Sequence, residues 1–284
     1  MPPEDRDPAA SPWLQPRHGW LILAHRGARS LAPENTLAAA AAAFRAGADG
    51  WELDVASTAD GQVVVMHDAT LRRTSDAPRR FPGRRPWRVN RFTLAEMRRL
   101  DFGSWFVKDD PFGTIAQGKL APDQLAGYRG LAVPTLDQAL AFTAERSWLV
   151  NVEMKDLGGV PGEDEFVPKV VELIQQHDLG QRVLLSSFNH QYLRQARALD
   201  PRLPLGVLVN YEAADPVGLV RWLGAQTYHP RWDLITRPQV EQLRRRGVGV
   251  MPWTVNDPER VRTLLRWGAS GFFTDFPQEL VKLR

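Results

Sequence analysis

Residues 248–275 read Val248-Gly249-Val250-Met251-Pro252-Trp253-Thr254-Val255-Asn256-Asp257-Pro258-Glu259-Arg260-Val261-Arg262-Thr263-Leu264-Leu265-Arg266-Trp267-Gly268-Ala269-Ser270-Gly271-Phe272-Phe273-Thr274-Asp275. Val248–Thr254 is a short apolar run, and Asp257-Pro258 places a capping side chain and a proline where a helix begins. A helical pattern runs over Pro258–Trp267, Gly268 sits where that helix should stop, and Ser270–Thr274 is a second apolar run. Strand, helix, strand in this order is the unit of a parallel sheet covered by helices.

The unit repeats towards the N-terminus. Further strands are predicted at Leu21–Ala24, Gly50–Val55, Trp148–Glu153, Arg182–Ser186, Leu205–Val209 and Ala225–His229. Helices are predicted over Glu34–Ala46, Thr135–Glu145, Glu165–His177, His190–Leu199, Pro216–Leu223 and Pro238–Arg246, with a last one at Gln278–Lys282. Asn35 or Glu34, after Pro33, is read as the cap of the first helix, and Gly47, Gly180 and Gly247 as stops. Eight strands each followed by a helix make a closed (β/α)8 TIM barrel, an α/β fold.

The alternation breaks once. Gln62–Met66, after the turn signal Asp60-Gly61, reads as a hairpin strand off the second strand. From about 68 to 130 the sequence is rich in Arg, Pro, Gly and aromatics, with one short helix expected over Thr93–Leu100. That length suits a small inserted subdomain after the second strand, shaping the mouth of the barrel. Residues 20–284 are expected to form one barrel domain, and 1–19 a flexible N-terminal arm.

Composition agrees with this reading. A chain of 284 residues with 43% hydrophobic content buries one large core. It has no cysteine, so any metal is held by oxygen or imidazole, which favours Mg2+, Ca2+ or Mn2+. The net charge of +3 is small, and the basic groups Arg79-Arg80, Arg84-Arg85 and Arg244-Arg245-Arg246 lack the interleaved aromatics of a nucleic-acid face. No signal-peptide stretch and no apolar run of about 18 residues is present, so the expectation is a cytoplasmic protein without stable membrane insertion, monomer or homodimer.

The chemistry clusters at strand ends. Glu52 and Asp54 are two apart on one strand and share a face, inward in a barrel. Two buried carboxylates this close need a cation between them, and a divalent metal is the direct answer. A water-facing strand is the local alternative. Glu153 repeats the geometry and completes an oxygen triad, while Lys155 reaches a bound phosphate or one of those carboxylates. His25 and His67 each follow an apolar run and suit proton transfer to and from a phosphate ester, with Arg26 clamping a phosphoryl oxygen. Trp253 is a candidate for the alkyl part of a substrate, with core filling as its rival. His18, His177 and His190 are read as structural; His229 and Asp275, at strand ends, are candidates for the mouth of the site, with fixing a loop as the alternative.

Taken in order, these pieces resemble the glycerophosphodiester phosphodiesterases. The family's His-Arg-Gly, Pro-Glu-Asn-Thr, Glu-x-Asp and His-Asp elements appear as His25–Gly27, Pro33–Thr36, Glu52/Asp54 and His67/Asp68. The likeness continues through Leu71–Thr74, Leu100–Phe106, Pro134–Leu136, Glu153/Lys155, Trp253–Asn256 and Thr274-Asp275. Met154 stands where members commonly carry a leucine or β-branched residue, on the face away from the site. The resemblance implies a barrel with an insertion after the second strand, and His25 and His67 as the acid/base pair. It further implies Glu52, Asp54 and Glu153 as ligands to Mg2+ or Ca2+, and Arg26 and Lys155 on the phosphate. The implied reaction hydrolyses a small-molecule glycerophosphodiester, such as glycerophosphocholine or glycerophosphoethanolamine, to glycerol 3-phosphate and an alcohol. One rival is a phospholipase D-like hydrolase of lysophospholipids or sphingomyelin, with Phe92, Phe102, Trp105, Phe106 and Phe112 lining an acyl groove. In the blander alternative those aromatics form the insertion's own core. A non-catalytic phosphate-binding barrel and a sugar-phosphate isomerase fit less well, because the full histidine and carboxylate set would be unexplained.

Overall fold

A computed structural model describes residues 11–284. Nine strands are present: β1 Leu21–Ala24, β2 Gly50–Ser57, β3 Val63–Val65, β4 Leu149–Met154, β5 Val183–Ser187, β6 Leu205–Val209, β7 Thr227–Pro230, β8 Gly249–Val250 and β9 Gly271–Thr274. Eight of them follow one parallel path, β8-β7-β6-β5-β4-β2-β1-β9, and β3 pairs antiparallel with β2 as the expected hairpin. The path nearly closes into a barrel. Ser270 N donates to Val250 O at 2.8 Å and Phe273 N to Pro252 O at 3.1 Å across the seam. Val248–Thr254 was expected to be all strand; only two residues are, because Pro252 has no N–H to carry the ladder on.

Around the barrel lie α1 Leu37–Arg45 and, after the hairpin, the short helices α2 Ala77–Arg80, α3 Leu94–Met97, α4 Ser104–Asp109 and α5 Pro122–Gly127. The covering helices continue with α6 Leu136–Ala144, α7 Glu163–Gln176, α8 His190–Leu199, α9 Pro216–Leu223, α10 Arg237–Arg245, α11 Pro258–Trp267 and α12 Pro277–Leu280. The α8, α9 and α11 bounds match the sequence reading; α1 does not. Its cap is Thr36, whose Oγ1 accepts from Ala39 N at 3.1 Å, so the helix starts at Leu37 and frees Glu34 and Asn35 for other contacts.

Side-chain alternation divides the strands into two faces. Ile22, Trp51, Leu53, Val150, Val152, Val207 and Met154 face the helices in the largest core cluster. Leu21, Leu23, Leu184, Met251 and Phe273 point inward and form the barrel floor together with Trp13. Trp13 belonged to the expected arm, of which residues 1–10 lie outside the described residues. Its indole is fully buried and donates to Gln181 O at 2.7 Å, so this part of the arm plugs the barrel.

Residues between β3 and α6 have a core of their own, with Leu71, Trp87, Val89, Phe92, Met97 and Phe102 packed on Val64 and Met66 of the hairpin. Helices α2, α4 and α5, at six residues or fewer, are too short to show a 3.6-residue period. Among the described residues no helix is long and apolar enough to cross a membrane.

Candidate active site

The carboxyl ends of β1, β2 and β4 deliver the charged groups. β1 ends at Ala24, and the chain turns sharply through Arg26, which sits in the left-handed region at φ 55°. Arg26 N then donates to Glu52 Oε2 at 2.7 Å. Gly27 is required by packing: a Cβ there would lie 2.6 Å from the Ala39 backbone, at the first turn of α1. Parallel registration sets Glu52 beside Asn151 and Asp54 beside Glu153, so the three carboxylates meet inside the barrel.

Glu52, Asp54 and Glu153 are buried, and each offers an oxygen within 4.8 Å of the others. No other cluster of this kind occurs among the described residues. Burial raises the Glu52 carboxyl well above its ordinary range, and the charges of Asp54 and Glu153 push it further. Glu153 is raised for the same two reasons, burial and Asp54. Asp54 goes the other way: burial is outweighed by Arg26, His67, Lys155 and a hydrogen bond from Asn35 Nδ2 at 2.8 Å. Glu52 Oε1 has no hydrogen-bond partner although it is buried. An orphaned carboxylate oxygen in an all-oxygen triad fits a hard divalent cation. Lys155 lies 2.6 Å from Glu153 Oε1 and 3.5 Å from Asp54 Oδ1, so the salt-bridge reading holds and leaves the ammonium facing the cavity.

Each histidine is held by a carboxylate. His25 Nδ1 is 2.7 Å from Asp275 Oδ1, and Asn256 Nδ2 donates to Asp275 Oδ2 at 2.8 Å. His67 Nδ1 is 2.7 Å from Asp68 Oδ1. With Nδ1 engaged in both rings, Nε2 is the atom left for proton exchange. Burial lowers the His25 pKa below its ordinary 6.5 against the opposing hydrogen bond to Asp275. Asp275 is in turn brought down to about 2, burial being overcome by His25 and Arg29.

His25, Arg26, Glu52, His67, Glu153, Lys155 and Trp253 line one cavity of about 180 Å³. Of the residues singled out for catalysis, metal or substrate, only Asp54 is not on this wall; it lies buried behind it, clustered with Glu52 and Glu153. Asn151, Phe188, Leu208 and Phe273 complete the wall. Trp253 is half-buried, edge-on to Phe188 at 5.4 Å, and donates to His229 O at 2.9 Å. None of the five aromatics of the acyl-groove alternative lines the cavity. Phe92 and Phe102 fill the core between β3 and α6, Phe106 joins the main core, and Trp105 and Phe112 pack against arginines.

His229 is buried outside the cavity with Nε2 on Thr227 Oγ1 at 2.8 Å, and burial lowers its pKa to about 3. Asp275, open between the mouth of the site and a loop-fixing role, holds His25. Glu34 and Asn35 were read as caps; they bind the site's arginines and Asp54. Their placement before α1, in the Pro-Glu-Asn-Thr element, and that of Asp275 after the last strand were the available signals. His177 Nε2 lies 2.8 Å from Asp137 Oδ1 and His190 Nε2 3.0 Å from Leu208 O, and neither lines the cavity.

Residues 25–279 match the glycerophosphoryl diester phosphodiesterase family. A glycerophosphodiester phosphodiesterase of Caldanaerobacter subterraneus subsp. tengcongensis is 35% identical over 266 residues, covering 93% of this chain and 97% of its own length. One from Bacillus altitudinis is 33% identical, covering 93% of this chain and 97% of its own. Among solved structures, an Oleispira antarctica phosphodiesterase in complex with the product sn-glycerol-3-phosphate superimposes with a TM-score of 0.78 and 29% identity. That likeness covers 92% of this chain and 95% of the other.

Proposed function

This chain belongs to the glycerophosphoryl diester phosphodiesterase family, a family of hydrolases, and we propose that it cleaves glycerophosphocholine, glycerophosphoethanolamine or a close relative with a divalent cation. The products are glycerol 3-phosphate and the alcohol. The observation that carries this reading is the orphaned Glu52 oxygen in a carboxylate triad, flanked by two histidine–aspartate pairs on one cavity.

Glu52, Asp54 and Glu153 would hold Mg2+ or Ca2+, which when bound supplies Lewis-acid stabilisation of charge on the phosphoryl oxygens. Arg26 and Lys155, both mostly buried in the cavity wall, add fixed positive charge beside it. His25, kept neutral near pH 7 by burial, has its Nε2 lone pair free and suits taking a proton from the attacking oxygen. His67, which lines the same cavity, suits giving one to the leaving alkoxide. Trp253 and Phe188 would pack on the non-ionic part of the substrate. We further propose that residues 68–130 act as an inserted subdomain over the mouth, and that the enzyme works in the cytoplasm as a monomer or homodimer.

The test is release of glycerol 3-phosphate from glycerophosphocholine, with and without a chelator. Activity that stops on chelation and returns with Mg2+ or Ca2+ is expected. Release unaffected by the chelator, or clear preference for the corresponding lysolipid, overturns the reading.

A further inference from the structure

Glu34 takes no part in the chemistry just described, yet three arginines converge on it. Arg73 donates to Oε2 at 3.0 Å and to Oε1 at 2.6 Å, and Arg26 Nη1 donates to Oε1 at 2.9 Å. Arg29 Nη2 lies 3.2 Å from Oε2. The carboxylate is buried, with its side chain 2% exposed. Burial alone would raise its pKa; the hydrogen bond from Arg73 and the charges of Arg26 and Arg29 bring it to about 2 instead.

Two of these arginines reach onward to the carboxylates that hold the histidines. Arg73 grips Asp68 through Nε at 2.8 Å and Nη2 at 3.0 Å, and Asp68 holds His67. Arg29 Nε is 3.7 Å from Asp275 Oδ1, and Asp275 holds His25. A chain of contacts thus runs His25, Asp275, Arg29, Glu34, Arg73, Asp68, His67, its inner charges alternating in sign and an imidazole standing at each end. Each outer guanidinium also rests on an aromatic ring from the segment between β3 and α6, Arg73 over Trp105 at 5.8 Å and Arg29 over Phe112 at 5.2 Å.

We infer that Glu34 is a positioning residue that binds the two histidine–aspartate pairs into one unit, so that the setting of each imidazole depends on the carboxylate of the other. The inference rests on the two-histidine reading of the site. Physically, Glu34, a carboxylate with three guanidinium partners, is among the described residues the only anion that both Arg29 and Arg73 share. Without it the two cations lose their common anchor, and Arg73, with its side chain 41% exposed, stays tied to Asp68 but no longer to the Arg29 side. Hydrogen-bonded charge networks of this kind are coupled beyond the sum of their pairs.

A double-mutant cycle between Arg29→Met and Arg73→Met, repeated in a Glu34→Gln background, tests this. Each single variant is expected to lower kcat by about 10–100-fold with a smaller change in KM, as loss of outer partners of a site does. The double variant is expected to fall short of the product of the two by roughly fivefold or more, and that shortfall to vanish with Glu34→Gln. Multiplicative effects in both backgrounds overturn the proposal. A second arm needs no substrate and so stands even if the assigned reaction is wrong. In histidine 15N spectra, Arg73→Met, which touches the His67 side, is expected to shift the His25 Nδ1 signal as well, with His229 unmoved as a mark of intact folding. A shift confined to His67 overturns the proposal. Should Glu34→Gln fail to fold, the arginine cycle and the spectra decide alone.

Discussion

Strands β9, β1, β2 and β4 and strands β5 to β8 build the barrel wall in equal number, but they meet the cavity with opposite surfaces. The first half ends in His25, Arg26, Glu52, Asp54, Glu153 and Asp275, tied together by hydrogen bonds and, through Arg26 and Lys155, ion pairs. The second half presents Leu208 and Trp253, with Phe188 just past β5, and buries its one inward histidine beneath them. The two histidines make the contrast concrete. His25 has a carboxylate on Nδ1 and an open Nε2, whereas His229 has a hydroxyl on Nε2, an unpartnered Nδ1 and no access to the cavity. The difference lies in the partner: the residue after β9 brings His25 a carboxylate, whereas His229 meets only the hydroxyl of Thr227 on its own strand.

The largest effect expected follows from the charged half. His25→Ala and His67→Ala should each lower turnover by roughly 10²–10⁴-fold with an unchanged circular dichroism spectrum, as loss of a general acid or base does. A near-normal rate in either would erase the functional difference between the halves. In the dry half the effects fall on stability. Gly206 lies under His229, and a Cβ there would sit 2.4 Å from His229 Cε1. Gly206→Ala should cost about 1–3 kcal/mol in urea denaturation, as overpacking of a filled core does, and most of it should return in the His229→Ala background. A loss that persists there would mean the ring is not what the glycine accommodates.

The smallest effect concerns acid. His229 has a folded pKa of about 3, below the ordinary 6.5, so the unfolded chain takes the proton first as pH falls. Its contribution is therefore whole above about pH 6.5 and is lost progressively towards pH 3. Between pH 7 and pH 5 this amounts to about 2 kcal/mol. His229→Leu should reduce the slope of stability over that interval to what His25 contributes, while leaving the loss below about pH 4.5, which Glu34 and Asp275 contribute on protonation. An unflattened slope would place the neutral histidine elsewhere.

Much of this was legible in advance, for reasons that differ by residue. Glu52, Asp54 and Glu153 were legible because alternation along a strand assigns a face without knowing the partners. Helices α8, α9 and α11 were legible because caps and prolines are local. Helices α2, α4 and α5 were not, since one or two turns carry no period. Glu34 and Asn35 were misread because capping is the commoner use of a polar residue before a helix, and Thr36 supplies that cap. Trp13 was misread because an apolar residue in a polar segment signals burial only once the floor it plugs is known.

What the sequence by itself determined is the kind of barrel and the kind of chemistry: strand–helix alternation, a same-face carboxylate pair, two histidines after apolar runs and the family elements around them. What only the tertiary structure decided is pairing. Asp275 is 250 residues from His25, and Glu34 reaches Arg73 39 residues away. Parallel strands put residues distant in the chain side by side, and hydrogen bonds act over about 3 Å of space whatever the distance along the chain.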